Sequence, residues 1–201
     1  MQTQTHMLDT SARKYIQPVL DVIAKTCQRA GISANTLTII GMFVGVAAAG
    51  LVASQYFVAG FAVLWLSGLI DAADGTLARL TQPSPIGAIL DITFDRVVEI
   101  AMIAALAISF PGARLELLIL AGTIAIAMSL FLSIAAAVAN TSIKSFHYAP
   151  GLGERTEAFI FFSLMILDHP RLTLWTWVFI GVIVFTMLQR VYHVRRMLAE
   201  S

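Results

Sequence analysis

Charge is what this chain has least of. Asp, Glu, Lys and Arg make up 12% of its 201 residues against 58% hydrophobic residues, and its mean hydropathy is +0.83. That shortage excludes an ordinary water-soluble domain of this size and predicts an integral membrane protein. The net charge of +1 supplies no global field for nucleic acid, so no nucleic-acid partner is expected. The single cysteine, Cys27, excludes an intramolecular disulfide framework. The first residues, MQTQTHMLDTSARKYIQPV, lack an apolar core followed by a small-residue cleavage site, so no removable signal peptide is expected. Long repeats and low-complexity tracts are also lacking, and one domain over residues 1–201 is the expectation.

What is present is a succession of apolar segments of about 20 residues, the length that crosses a bilayer as a helix. Polar and Pro/Gly-containing breaks divide them at about 36–54, 57–80, 86–110, 114–139, 151–168 and 172–193, the fifth being the shortest. The expected fold class is an all-α integral membrane protein with six transmembrane helices. Ahead of them, residues 10–30 carry Tyr15, Val19, Val22, Ile23 and Thr26 at helical intervals, with Arg13, Lys14, Asp21, Lys25 and Arg29 between. This pattern predicts an amphipathic juxtamembrane helix in the interface.

The scarce basic residues set an orientation. With the N-terminus cytoplasmic, Arg13, Lys14, Lys25, Arg29, Arg79, Lys144, Arg155, Arg190, Arg195 and Arg196 fall on or near the cytoplasmic side, and only Arg114 and Arg171 near the other. A multi-pass protein of the cell (inner) membrane is expected. The segment from Asp71 to Asp95 then forms a helical hairpin at the cytoplasmic ends of the second and third spans.

That hairpin, DAADGTLARLTQPSPIGAILDITFD, holds four aspartates. Carboxylates within spans are rare and costly, and they mark function by default. Asp71 and Asp74 lie three residues apart and Asp91 and Asp95 four apart, so each pair shares a helix face. A single such residue serves equally as a packing or proton-relay group, but four in facing pairs would repel unless protonated or neutralised by hard divalent cations. Two ions bridged by such a set are suited to phosphoryl or phosphodiester transfer. Gly75, Ala78 and Gly87 allow close approach of backbone or ligand, Arg79 suits a phosphate, and QPSP breaks the helix between the spans.

DAADGTLAR followed by GAILDITFD resembles the motif DxxDGxxAR…GxxxDxxxD of the CDP-alcohol phosphotransferases, with each fixed position matched. The gap between Arg79 and Gly87 is seven residues, one fewer than usual, and it falls in the turn. The resemblance implies that Asp71, Asp74 and Asp91 bind two divalent ions, Mg²⁺ or Mn²⁺, with Asp95 as general base close to a metal. It implies a cytidine-nucleotide site lined by Gly75, Ala78, Arg79 and Gly87. The implied reaction is attack of a small alcohol acceptor on the phosphorus of a CDP-linked lipid donor, with CDP-diacylglycerol the expected form, and release of CMP in phospholipid synthesis.

Other segments carry less specific signals. GISANTLTIIG is similar to a Pro-Asn-x-x-Thr stretch bordering the nucleotide in the family; Ala34 replaces the proline, while Asn35 and Thr38 remain. Ser33 or Asn35 serves equally as a helix cap. GLGERTEAF is similar to a GLxERxER stretch of relatives that use phosphorylated polyols, with Ala158 in place of the second arginine. Lys144 and Arg155 are the candidates for the acceptor side, although a positive-inside cluster explains both. Arg96 and Glu99 are expected to pair with each other or with the aspartates. His147 reads as a hydrogen-bonded structural group, and His193 with Arg190, Arg195 and Arg196 as a basic end facing anionic lipid. Small residues in the fourth span suggest close helix contact, and the resemblance implies a homodimer through the third and fourth spans.

Two other classes fit the residues less well. A cation or proton transporter would place its acids near the midplane among broken helices; here they gather at one face beside a Gly/Arg pattern. An aspartate-rich intramembrane prenyltransferase would resemble a longer chain with an Asn-Asp-x-x-Asp-x-x-x-Asp motif, which this sequence lacks.

Overall fold

The computed structural model describes residues 8–140 and 155–199, and among these every regular element is a helix. They are α1 (Leu8–Arg29), α2 (Ala34–Ala53), α3 (Phe57–Leu80), α4 (Pro85–Ser109), α5 (Arg114–Asn140), α6 (Arg155–Leu167) and α7 (Leu172–Ala199), with short 3-10 turns at Pro111–Ala113 and His169–Arg171. The chain divides into two compact units, Met1–Phe110 and Pro111–Ser201.

In the first unit the helix boundaries follow from local chemistry. α1 ends where Gly31 takes a φ of 73°. There the Ile32 amide reaches back to the Cys27 carbonyl at 3.0 Å and the Gly31 amide to Gln28 at 3.1 Å, a Schellman closure. α2 starts at Ser33, whose hydroxyl accepts from the Thr36 amide at 3.1 Å. α2 ends in the same Schellman pattern as α1, except that Gln55 holds the left-handed position with φ 65°. α4 starts at Ser84, which accepts from the Gly87 amide at 3.0 Å, with Pro85 in the first turn where its missing N–H costs nothing.

Side-chain size sets how closely these helices approach. α2 packs on both α3 and α4, and α1 packs on α3. A Cβ added to Gly45 would stand 2.6 Å from Val98 Cγ2, and one on Gly60 2.6 Å from Val52 Cγ2, so glycine is required at both crossings. Ser67 of α3 donates to the Gly41 carbonyl of α2 at 2.8 Å, a buried bond in a segment with no water to replace it. Leu20 and Ala24 of α1 join Leu37, Ala73 and Leu77 in one buried cluster. α1 is thus anchored by one face, while Val19 and Val22 stay exposed.

In the second unit α7 packs on α5 and α6. Phe179 stacks on Phe161 at 4.6 Å and meets Phe162 edge-on at 6.0 Å. The turn into α7 is fixed by Asp168, whose Oδ2 accepts from Trp175 Nε1 at 3.0 Å and lies 3.5 Å from Arg171 Nη1.

Of the six expected spans, four coincide with segments long and apolar enough to cross a membrane: Ala34–Ala53, Phe57–Leu80, Pro111–Ala137 and His169–Arg196. The other two depart for different reasons. α4 has 25 residues, ample to span, but carries Asp91, Asp95, Arg96 and Glu99. α6 has only 13, and the segment preceding it, 141–154, lies outside the described residues.

Candidate active site

The hairpin of α3 and α4 carries the site. α3 runs to Leu80 and α4 begins at Pro85, so four residues, 81–84, make the turn, and the shortened gap between Arg79 and Gly87 is closed without breaking either helix. α2, which packs on both α3 and α4, holds the two helices across from one another. Carboxylate oxygens of Asp71, Asp91 and Asp95, one from each, all lie within 4.8 Å of one another, and the three residues are half-buried.

Asp74, three residues along α3 from Asp71, is buried, 5% exposed. A three-residue step falls about 60° short of a full helical turn, so Asp74 lies beside Asp71 on the same side of α3 rather than directly in line with it. The four-residue step from Asp91 to Asp95 overshoots by only about 40°, and both reach the trio. α2 braces this place: a Cβ on Gly41 would stand 3.3 Å from Ile70 Cγ2 and 3.8 Å from the Asp71 amide nitrogen, so α2 backs the turn that carries the first carboxylate.

The other expected residues sort as follows. Gly75 is half-buried, and a Cβ there would meet only Arg79 Nη1 at 3.7 Å, so the protein's own packing does not require glycine. Ala78 is half-buried and Arg79 exposed, one turn before the hairpin turn. Gly87 is cramped: a Cβ would lie 2.9 Å from Asn35 Oδ1 and 3.0 Å from Ser84 Oγ. Asn35 is therefore brought from α2 against Gly87 of the hairpin, and the contact explains the glycine. The helix cap at this position is Ser33, not Asn35. Arg96 and Glu99 pair, as the spacing predicts, at 2.7 Å, with Glu99 buried. Lys144 and His147 lie outside the described residues, as does the Arg155 side chain, although Arg155 opens α6.

Sequence reasoning passed over Thr76. Its buried Oγ1 accepts from Arg79 Nη2 at 2.9 Å and donates to the Ala72 carbonyl at 3.0 Å. The available signal was a hydroxyl three residues before an arginine on one helix.

Three hard oxygen donors at this spacing suit a divalent cation such as Mg²⁺ or Mn²⁺, because like-charged carboxylates so close together need a counter-ion or a proton. The profile of one family, CDP-alcohol phosphatidyltransferase, matches residues 32–194, most of each unit. The chain belongs to the CDP-alcohol phosphatidyltransferase family.

Membership makes it a metal-dependent phosphotransferase of phospholipid synthesis, which moves a phosphatidyl-type group out of a CDP-alcohol. The transporter and prenyltransferase readings are set aside. Among similar proteins, the archaetidylinositol phosphate synthase of Methanothermobacter thermautotrophicus is 32% identical over 195 residues, 90% of this chain and 89% of that one. The Inner membrane protein YnjF of Escherichia coli K12 is 32% identical over 170 residues, 79% of this chain and 81% of its own. The fold is similar to that of Mycobacterium tuberculosis phosphatidylinositol phosphate synthase (PgsA1). The crystal structure with CDP-DAG bound gives a TM-score of 0.74 at 24% identity, covering 88% of this chain and 94% of that one. The complex with manganese and citrate gives 0.73 at 25%, covering 87% and 88%.

Proposed function

We propose that this enzyme transfers the phosphatidyl-type group of CDP-diacylglycerol to a small alcohol, releasing CMP, at the cytoplasmic end of the α3–α4 hairpin. The observation that carries the reading is the convergence of Asp71, Asp91 and Asp95 within 4.8 Å in a chain otherwise poor in charge. The relative crystallised with CDP-DAG bound supports the donor.

The residues fit two divalent ions held by Asp71, Asp74, Asp91 and Asp95, which when bound neutralise phosphate charge and stabilise the departing CMP. Asp95 takes the proton of the acceptor hydroxyl. A carboxylate has two oxygens, so it can share one with the cluster and keep the other for that proton. The alcohol oxygen then bonds to the phosphorus beside the diacylglycerol, and the bond to CMP breaks with its electron pair leaving on CMP. Gly75 and Ala78 leave room for the nucleotide, Arg79 meets its diphosphate, and Gly87 and Asn35 close the hairpin side of the pocket.

On the acceptor side we assign Lys144 and Arg155. The name of the archaeal relative places a phosphorylated inositol first among acceptors to test. Ala158, buried at 4% exposure where the related stretch has a second arginine, leaves that side one cation poorer.

We further propose one membrane domain over 1–201 with six spans, α2 to α7, α1 in the interface, the N-terminus cytoplasmic, and a homodimer through α4 and α5. The family match across both units supports the single domain. The low charge of α6 and the length of α4 support their crossing.

The test is CMP release by purified protein with CDP-diacylglycerol, Mg²⁺ or Mn²⁺, and a panel of inositol 1-phosphate, glycerol 3-phosphate, serine and inositol. Release with one acceptor, abolished in Asp95→Asn, is expected. Folded protein that releases no CMP with any of them would overturn the donor assignment.

A further inference from the structure

Thr76 sits at an unspecified position of the hairpin motif, between Gly75 and Leu77, where the pattern asks for no hydroxyl. Its side chain is nonetheless buried, 3% exposed, and bonded at both ends. Oγ1 donates to the Ala72 carbonyl one turn back at 3.0 Å and accepts from Arg79 Nη2 one turn ahead at 2.9 Å. A hydroxyl has one proton, and here it is spent on Ala72, so toward Arg79 the oxygen offers only lone pairs. A guanidinium offers only donors, so the polarity of the pair is fixed. The link joins a buried, rigid atom to the tip of a long exposed side chain. A long arginine side chain loses rotamers on binding an anion, and a fixed acceptor at its tip removes part of that loss beforehand.

We propose that Thr76 is a positioning residue that pre-orients the Arg79 guanidinium for the diphosphate of the CDP-linked donor; this rests on the reading of Arg79 as a nucleotide contact. The hydroxyl touches no substrate. It acts by removing rotamers from Arg79 before the nucleotide arrives.

The probe is CDP in the presence of Mn²⁺, with affinity measured calorimetrically on the full chain in detergent. Thr76→Val keeps the shape and removes the acceptor, and it weakens CDP by roughly five- to tenfold, the cost of ordering one long side chain on binding. Thr76→Ser restores the hydroxyl and binds within about twofold of the parent. In an Arg79→Ala background Thr76→Val has no further effect, because the group it positions is gone. Should the valine variant fail to assemble, Thr76→Ala carries the same expectations. If Arg79→Ala weakens CDP while Thr76→Val does not, or if the two losses add, the positioning role is overturned. If Arg79→Ala itself leaves CDP binding unchanged, the reading of Arg79 falls, and the inference falls with it.

Discussion

Asn35 Oδ1 lies 2.9 Å from where a Cβ on Gly87 would stand, so a side chain from α2 fills the space that the motif glycine of α4 leaves open. The same missing Cβ clears Ser84 Oγ, the α4 cap, at 3.0 Å. Gly87→Ala should therefore push Asn35 aside and loosen the cap together. The expected result is a loss of about 1–3 kcal/mol, the range of overpacking. Thermal unfolding in detergent checks it, with Asn35→Ala/Gly87→Ala recovering part of the loss. A single variant as stable as the parent would refute the crowding.

The Arg96–Glu99 pair has a different sensitivity. Glu99 is 5% exposed within α4, and the arginine 2.7 Å away balances its charge. Removing one partner of a buried pair costs more than removing both. Arg96→Met is expected to destabilise by about 3 kcal/mol, and Arg96→Met/Glu99→Leu to regain most of it. Equal stability of the single and double variants in a detergent melt would show that the pair is not coupled.

Gln55 closes α2 with φ 65°, a conformation that costs a residue with a Cβ about 1 kcal/mol. Gln55→Gly should raise the unfolding midpoint, the gain offset in part by the extra freedom of glycine in the unfolded chain. Because Tyr56 and Gln55 already make the closing amide bonds, the gain should come without a change in helix content by circular dichroism.

The site was largely legible because its signal is local. Carboxylates are so scarce in this chain that the aspartates stood out by type; spacing put each pair on one helix face, and the helix-breaking turn between the spans allowed the two faces to converge. The pairing of Arg96 with Glu99 was legible for the same reason. Asp74 was grouped with them by the same spacing, and it lies buried on α3 three residues from Asp71. The clasp of Asn35 on Gly87, the approach of Gly41 to Asp71 and the Ser67 bond to the Gly41 carbonyl join residues on different helices. No spacing rule reports such contacts. Thr76 was missed because it occupies an unspecified position of the motif, and only the atoms show which way its hydroxyl points.

The aspartate trio makes a prediction that separates a cation site from a structural cluster. Without metal, three carboxylates within 4.8 Å repel, so each costs stability in the folded state. Asp91→Asn should then melt higher than the parent in EDTA. Adding Mn²⁺ should raise the parent's midpoint, since an ion bound only by the folded state stabilises it by mass action. The same addition should move Asp91→Asn far less. The variant's gain in EDTA and its loss with Mn²⁺ have opposite signs, and a simple packing defect would lower the midpoint in both. A parent whose midpoint does not respond to Mn²⁺ would mean that these three carboxylates do not form the ion site.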